Sequence, residues 1–293
     1  ATMKLHLVDG TFELFRAHFG APNALSPAGI EVGASRGILR SLLNLLREPE
    51  CTHVGVAFDH VIRSYRNDMF DGYKTGDDVE PEILAQFPIV ERVAAALGLV
   101  VWPMVEFEAD DALATAATRF SPDPRVDQII ICSPDKDFAQ CVRGQRVVLH
   151  DRIRDRVIDE EGVHEKWGVG PGSIPDLLGL MGDTADGIPG IPRWGQKSSA
   201  TLLAEYQTIE SIPADPDSWS VKARGAKGLS ENLESQREAA LLYKELATLR
   251  CDVPLTESIE DLEWRGARRG LLADVADEIG DQGILERIER WRD

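Results

Sequence analysis

Three short apolar segments of the chain end in aspartate or run straight into it: Leu7-Val8-Asp9, Ala57-Phe58-Asp59 and Cys132-Ser133-Pro134-Asp135-Lys136-Asp137. Each closes a stretch rich in Val, Ile or Leu (residues 4–8, 52–58 and 128–132), the pattern of a strand buried on both faces, and 146–149 reads as a fourth. Between them lie helical patterns, with apolar residues three and four apart over 33–46 and 82–97. Strand alternating with helix predicts an α/β fold, a mainly parallel central sheet flanked by helices. Parallel strands bring their carboxyl ends to one edge, where ligands bind, so the aspartates are predicted to gather there.

From about residue 162 the strand patterns stop. Segments 173–181, 197–206, 232–249 and 271–291 read as helical, with Gly/Pro-rich turns between them. The spacing therefore predicts an α/β core over 1–160 and a helical region over 161–293. Hydrophobic content of 43% is that of a globular chain, and no apolar run approaches the roughly 18 residues a membrane helix needs. Asp9 interrupts the early apolar stretch, which argues against a signal peptide, and we expect a cytoplasmic protein, monomeric by default, without a membrane partner. The four cysteines show no CxxC pairing, so neither disulfides nor zinc are expected.

Two more acidic strings join the aspartates. Glu108-Ala109-Asp110-Asp111 opens an apolar helical pattern, with Glu108 and Asp111 on one face, and Gly182-Asp183-Thr184-Ala185-Asp186 repeats the i, i+3 spacing. Taken singly, such residues cap helices and turns. Taken together they cannot be left bare, because two like charges about 4 Å apart repel by roughly 4 kcal/mol at an effective dielectric near 20. An all-oxygen donor set favours Mg²⁺ or Mn²⁺. Two such ions held by shared carboxylates can activate water and stabilise the leaving oxygen of a phosphodiester. The net charge of −18 speaks against a surface that grips nucleic acid everywhere, but part of that charge would be neutralised by bound metal, and basic residues cluster locally.

The strings Val8-Asp9-Gly10, Phe58-Asp59, Tyr65-Arg66, Tyr73-Lys74, Glu108-Ala109-Asp110-Asp111, Asp135-Lys136-Asp137 and Gly182-Asp183 through Asp186-Gly187-Ile188-Pro189-Gly190 occur in that order. Over roughly residues 4–255 the chain resembles the flap endonuclease or 5′-nuclease family, similar to the 5′-nuclease domain at the front of bacterial DNA polymerase I; with no polymerase region in its 293 residues it resembles a stand-alone member. The resemblance implies a PIN-like core in which Asp9, Asp59, Glu108, Asp110, Asp111, Asp135, Asp137, Asp183 and Asp186 bind two or more Mg²⁺ or Mn²⁺ ions. The first five gather mostly around one ion and Asp183 with Asp186 around another, with the Asp135–Asp137 pair between. It also implies that Lys74 and Arg66 face the scissile phosphate, that a helical arch at about 60–88 admits a single-stranded 5′ end, and that the substrate is DNA with a 5′ flap or 5′ end. Residues 173–206 would hold a helix-hairpin-helix, with Gly190, Arg193, Gly195 and Lys197 on duplex phosphates and a K⁺ ion in the hairpin, and Lys222, Arg224 and Lys227 would form a second duplex contact. The chain departs from the family pattern twice. Thr75-Gly76-Asp77-Asp78 follows Lys74 where members carry a further arginine, and Arg193-Trp194 stands where glycine and an aliphatic residue are usual.

Three other readings fit the sequence less well. A minimal PIN-type ribonuclease would lack the hairpin and the arch. A phosphohydrolase working through an aspartyl-phosphate would need a DxD after the first strand, where this chain has Asp9-Gly10-Thr11. A retired, catalytically weak DNA-structure-binding module would have lost acids, and all nine are present.

Overall fold

Short apolar segments became strands and the amphipathic stretches between them became helices. The computed structural model describes residues 3–293. In chain order come β1 (Met3–Asp9), α1 (Gly10–Gly20), α2 (Gly33–Leu46), β2 (Cys51–Asp59), α3 (Arg66–Met69), α4 (Pro81–Ala96), β3 (Val100–Met104), α5 (Ala109–Phe120), β4 (Val126–Cys132), β5 (Val147–Asp151) and β6 (Arg156–Ile158). Among the described residues no strand follows, and the chain continues through α6 (Glu160–Trp167), α7 (Ile174–Met181), α8 (Gln196–Tyr206), α9 (Ala226–Ser235), α10 (Arg237–Ala247) and α11 (Arg269–Ile279). No helix among the described residues is long and apolar enough to cross a membrane.

The chain forms two compact units. The first comprises the chain up to Ile62, Gly76–Ser133 and Cys251–Asp293. Its strands run in the order β3-β2-β1-β4, every pair parallel, with Val8 level with Val56 on one side and Cys132 on the other. Leu5, Leu7 and Val8 are wholly buried and even His6 between them is buried, so β1 is covered on both faces from Leu5 onward. No strand pattern marks β3, whose Val-Val-Trp-Pro-Met contains a proline. As an edge strand it can lack an amide, and Trp102 lies over Gly55 of β2, where a β-carbon would come within 2.4 Å of the indole. A helical core of α2 and α4 also takes in the C-terminal segment: Leu272, Ala276 and Ile279 of α11 are wholly buried in the same cluster. Each such Leu or Ile contributes roughly 1.5–3 kcal/mol of burial. The helix expected over 271–291 stops at Ile279, because Gly280 takes a left-handed φ of 67° and Arg36 donates through Nε to the Ile279 carbonyl at 2.9 Å.

The second unit comprises Arg63–Thr75 and Pro134–Arg250. β5 and β6 form an antiparallel hairpin, Leu149 opposite Ile158, and β6 is a strand the sequence patterns did not suggest because it is three residues long and exposed. The helix expected over 232–249 is two, α9 and α10, broken at Gln236. Arg237 at the break donates to the carbonyls of Ile209 and Ile212 at 2.9 and 3.1 Å, which holds the chain turn in place. These units differ from a single boundary near residue 160: contacts divide the chain after Ser133 and return it to the first unit after Arg250. Over about 60–88, the stretch expected as a helical arch, lie α3, four residues long, and the first half of α4. Gly72, Gly76 with φ of 78° and Pro81 at the start of α4 punctuate the rest.

Candidate metal centre

The second unit carries the densest group of acids. Asp135 sits at the head of a tight 3₁₀ turn (Lys136–Cys141) and its carboxylate accepts from the Asp137 amide at 3.0 Å, which orients both side chains. Past the end of α7 the chain closes a small loop. Asp183 and Ile188 exchange backbone hydrogen bonds of 2.8 and 2.9 Å, so Asp183 and Asp186 project from one rigid turn. Gly187 has φ of 76° and lies against Gly72, where a β-carbon would meet the Gly72 carbonyl oxygen at 2.2 Å. That approach lets the Lys74 amide donate to the Asp186 carbonyl at 3.0 Å and sets the Lys74 ammonium 3.0 Å from the Asp186 carboxylate.

Oxygens of Asp137, Asp183 and Asp186 all lie within 4.8 Å of one another. Asp137 Oδ1 is buried without a hydrogen-bond partner, although the Lys136 ammonium lies 3.8 Å away and 2.7 Å from Asp183. Burial, then the charges of Asp135 and Asp186, push the Asp137 carboxyl well above its usual range, and burial followed by Asp186 pushes Asp135 up. For Lys136, burial works to lower the pKa but is outweighed by Asp137 and Asp183, so the net shift is upward. A buried carboxylate oxygen with open lone pairs, two further carboxylates within reach and no nitrogen or sulfur donor are what a hard divalent cation requires, and the residues fit one.

In the first unit the acids meet helix N-termini. Asp9 ends β1 and caps α1, accepting from Phe12 N at 3.1 Å and from the Ser133 hydroxyl at 2.9 Å. Asp59 ends β2, its carboxylate accepts from Ala109 N at 2.8 Å and its amide donates to the Thr11 hydroxyl at 2.8 Å. Glu108 and Asp111 form a reciprocal capping box, Asp111 accepting from Glu108 N at 2.9 Å, while Asp110 is half-buried. Amide dipoles at helix starts favour these carboxylates in charged form. Among the described residues the five acids of this unit do not by themselves make a three-oxygen group as tight as that of Asp137, Asp183 and Asp186.

Arg66 corrects the sequence reading. Grouped with Lys74 as phosphate-facing, it is 1% exposed and donates through Nε to Leu246 O at 2.8 Å and through a terminal nitrogen to Thr248 O at 2.9 Å. It clamps the end of α10, stacked over Tyr65 at 4.7 Å. Spacing alone could not show this, since a buried guanidinium and a surface one look alike in sequence. Lys136, Ser133 and Thr11 were not singled out; the lysine was visible inside the Asp135-Lys136-Asp137 string, whereas the two hydroxyls had no signal.

Over 173–206, where a hairpin is expected, α7 (Ile174–Met181) and α8 (Gln196–Tyr206) flank a turn. Gly190 has φ of 72°, and Arg193, alone among the hairpin's non-glycine residues, shares that conformation with φ of 72°. Trp194 is buried and donates to Leu229 O at 2.9 Å, and Asn232 donates to Pro192 O at 2.8 Å, so the turn is fastened to α9. The Arg193 guanidinium lies against Gly228. Gly195, Lys197, Lys222, Arg224 and Lys227 are exposed; Lys197 lies in the first turn of α8, Lys222 and Arg224 just before α9 and Lys227 in its first turn.

The first unit is a parallel α/β unit with acids at its strand ends, and the second carries a three-carboxylate group that could hold a metal ion and a fastened hairpin, the features of an α/β protein built around clustered acids. The sequence profile of the 5′-3′ exonuclease N-terminal, resolvase-like domain matches residues 4–168, and that of the 5′-3′ exonuclease C-terminal SAM fold matches residues 169–270. The chain belongs to the 5′-3′ exonuclease family. It is 35% identical over 292 residues to DNA polymerase I of Bacillus caldotenax, covering 98% of this chain and 32% of that protein, and 36% identical to DNA polymerase I of Pseudomonas aeruginosa, covering 98% and 31%. The chain thus spans about a third of the length of these curated relatives. Among solved structures it resembles a variant of the bacteriophage T5 D15 flap endonuclease, in a pseudo-enzyme–product complex with DNA and metal ions, at a TM-score of 0.66 and 18% identity, covering 97% of this chain and 96% of that one.

Proposed function

We propose that this chain is a structure-specific, divalent-metal-dependent nuclease that hydrolyses phosphodiester bonds of DNA at 5′ flaps and 5′ ends, working as a monomer in the cytoplasm. The observation that carries the proposal is the buried centre of Asp137, Asp183 and Asp186 with its unpartnered carboxylate oxygen and Lys74 tied to Asp186. Asp137, Asp183 and Asp186, with Asp135 beside them, would hold one Mg²⁺ or Mn²⁺ ion, and Asp9, Asp59, Glu108, Asp110 and Asp111 would serve another. When bound, such ions supply an activated water and charge stabilisation at the phosphate. Lys74, fixed by its own amide on Asp186, turns its ammonium from the Asp186 carboxylate to the scissile phosphate, where a placed positive charge stabilises the charge that develops. Arg66 holds the frame behind it.

Duplex DNA rests on the hairpin: the exposed amides at the start of α8, with Gly190, Arg193, Gly195 and Lys197, take phosphate oxygens without reading bases, and Lys222, Arg224 and Lys227 extend the contact. Arg193, where relatives carry glycine, would add a guanidinium to the phosphate contact and lessen the need for a K⁺ ion there. The description of the T5 enzyme with DNA and metal ions supports this reading of the shared fold.

The test is incubation of the chain with a labelled 5′-flap duplex, a blunt duplex and single-stranded RNA, in EDTA, Mg²⁺ or Mn²⁺. The expected result is cleavage of the flap substrate in either metal, none in EDTA and none by Asp137→Asn. Equal cleavage of single-stranded RNA, or flap cleavage that survives in EDTA, overturns it.

A further inference from the structure

We propose that Lys136 is a resident counter-cation of the Asp137–Asp183 pair, contending with a divalent ion for the same carboxylate oxygen, so that this lysine sets how tightly the centre takes its metal. The inference rests on the nuclease reading above and adds to it a residue to which that reading gives no part. Its ground is an asymmetry between the two carboxylates. The Lys136 ammonium donates to Asp183 Oδ2 at 2.7 Å, full hydrogen-bond contact, but stands 3.8 Å from Asp137 Oδ1, near enough for charge attraction and too far for a hydrogen bond. Asp137 Oδ1 is the buried oxygen without a hydrogen-bond partner. One oxygen of the pair is therefore open to a cation while the other is taken by the ammonium.

The two roles differ in what they need. Neutralising two adjacent carboxylates needs only positive charge nearby; coordinating them needs an ion about 2.0–2.2 Å from each oxygen, which an ammonium at 2.7 Å cannot be. A divalent ion that takes both oxygens displaces the lysine from Asp183. The side chain can go: it is 34% exposed and hangs on a flexible four-carbon stem. Lys74 is tethered differently, its backbone amide bonded to Asp186 O, so its neighbourhood to the centre persists whichever way its ammonium turns.

Two consequences follow from one residue. Lys136 stabilises the centre where no metal is supplied, and it weakens metal binding by competition. A single charge within about 4–6 Å moves the equilibrium of a carboxylate by one to three powers of ten, which sets the scale expected for the change in metal affinity.

The experiment uses the full chain without DNA. Mn²⁺ is titrated into wild type, Lys136→Met, Lys136→Arg and Asp183→Asn, with free Mn²⁺ followed by its electron paramagnetic resonance signal, and thermal midpoints are measured in EDTA and in Mn²⁺. The binding step that Asp183→Asn removes marks the centre. The expected result is that Lys136→Met tightens that step by about tenfold or more, equivalent to about 1.4 kcal/mol, and melts lower than wild type in EDTA, while Lys136→Arg stays near wild type in both. A Lys136→Met chain that unfolds in EDTA and is restored by Mn²⁺ supports the proposal in the same way; one restored by neither overturns it, as does a step of unchanged or weaker affinity. If wild type shows no Mn²⁺ step that Asp183→Asn removes, the metal assignment under the nuclease reading has failed, and the role of Lys136 falls with it.

Discussion

Replacing Arg66 by alanine separates a buried clamp from a phosphate-facing catalyst. Its guanidinium makes at least two charge-assisted hydrogen bonds, to Leu246 O at 2.8 Å and Thr248 O at 2.9 Å, near the C-terminal end of α10. Removing it leaves two carbonyls without that donor at a site where the arginine is 1% exposed. Each unsatisfied buried group costs about 1–3 kcal/mol, and loss of a cation at a helix C-terminus adds roughly 0.3–1 kcal/mol. Water entering the vacated space recovers part of this, so we expect a destabilisation of about 3–5 kcal/mol. At roughly 2–4 °C per kcal/mol for a chain of this size class, the thermal midpoint should fall on the order of 10 °C. The assay is thermal unfolding by circular dichroism in EDTA, paired with single-turnover cleavage of a flap duplex well below the lowered midpoint. Arg66→Lys, which keeps the charge but loses the fork, should recover only part of the midpoint. A variant that melts within about 2 °C of wild type yet cleaves a hundredfold more slowly would refute the clamp and restore the arginine to the phosphate.

Asp137→Asn should abolish cleavage while raising stability in EDTA at neutral pH. Burial and the neighbouring Asp135 and Asp186 raise the Asp137 pKa, so the folded state holds the proton more tightly than the unfolded chain; that contribution is complete below the usual value near 3.8 and is lost as pH climbs through the raised one. Thermal midpoints of wild type in EDTA should therefore fall as pH rises from about 4, and the slope should shrink in the asparagine variant; an unchanged slope counts against the assignment. Lys74→Ala should lower the single-turnover rate by about a hundredfold or more with little change in flap affinity, since its charge acts in the transition state; a loss confined to affinity would make it a binding residue. Arg193 holds φ of 72° at a cost of order 1–2 kcal/mol, so its guanidinium is expected to take over part of the K⁺ role. Duplex affinity measured in Ca²⁺ should respond weakly to exchanging K⁺ for Na⁺, and Arg193→Gly should weaken binding in Na⁺ and restore a K⁺ preference; a several-fold K⁺ preference in the unmodified chain rules this out.

The sequence by itself determined the parallel strands and most of the acids. β1, β2 and β4 are buried on both faces, so their apolar runs and terminal Asp9, Asp59 and Ser133–Asp135 are written locally, and α2 was readable to the residue because its stripe repeats every three to four positions. The left-handed turn at Arg193 was readable too, as a site where glycine is the easy choice. Tertiary structure alone decided the matters that depend on partners distant in the chain. Arg66 is a clamp because Leu246 and Thr248, some 180 residues away, bring carbonyls to it. β3 exists because β2 offers it an edge that tolerates Pro103, and the C-terminal segment joins the first unit because α2 and α4 leave an apolar face for Leu272 and Ile279. The charge balance of the metal centre belongs to the same class. Asp137 and Asp183 are 46 positions apart, and only the fold of α7 and its closing loop sets them beside Lys136, at distances that decide which oxygen is taken and which is left open.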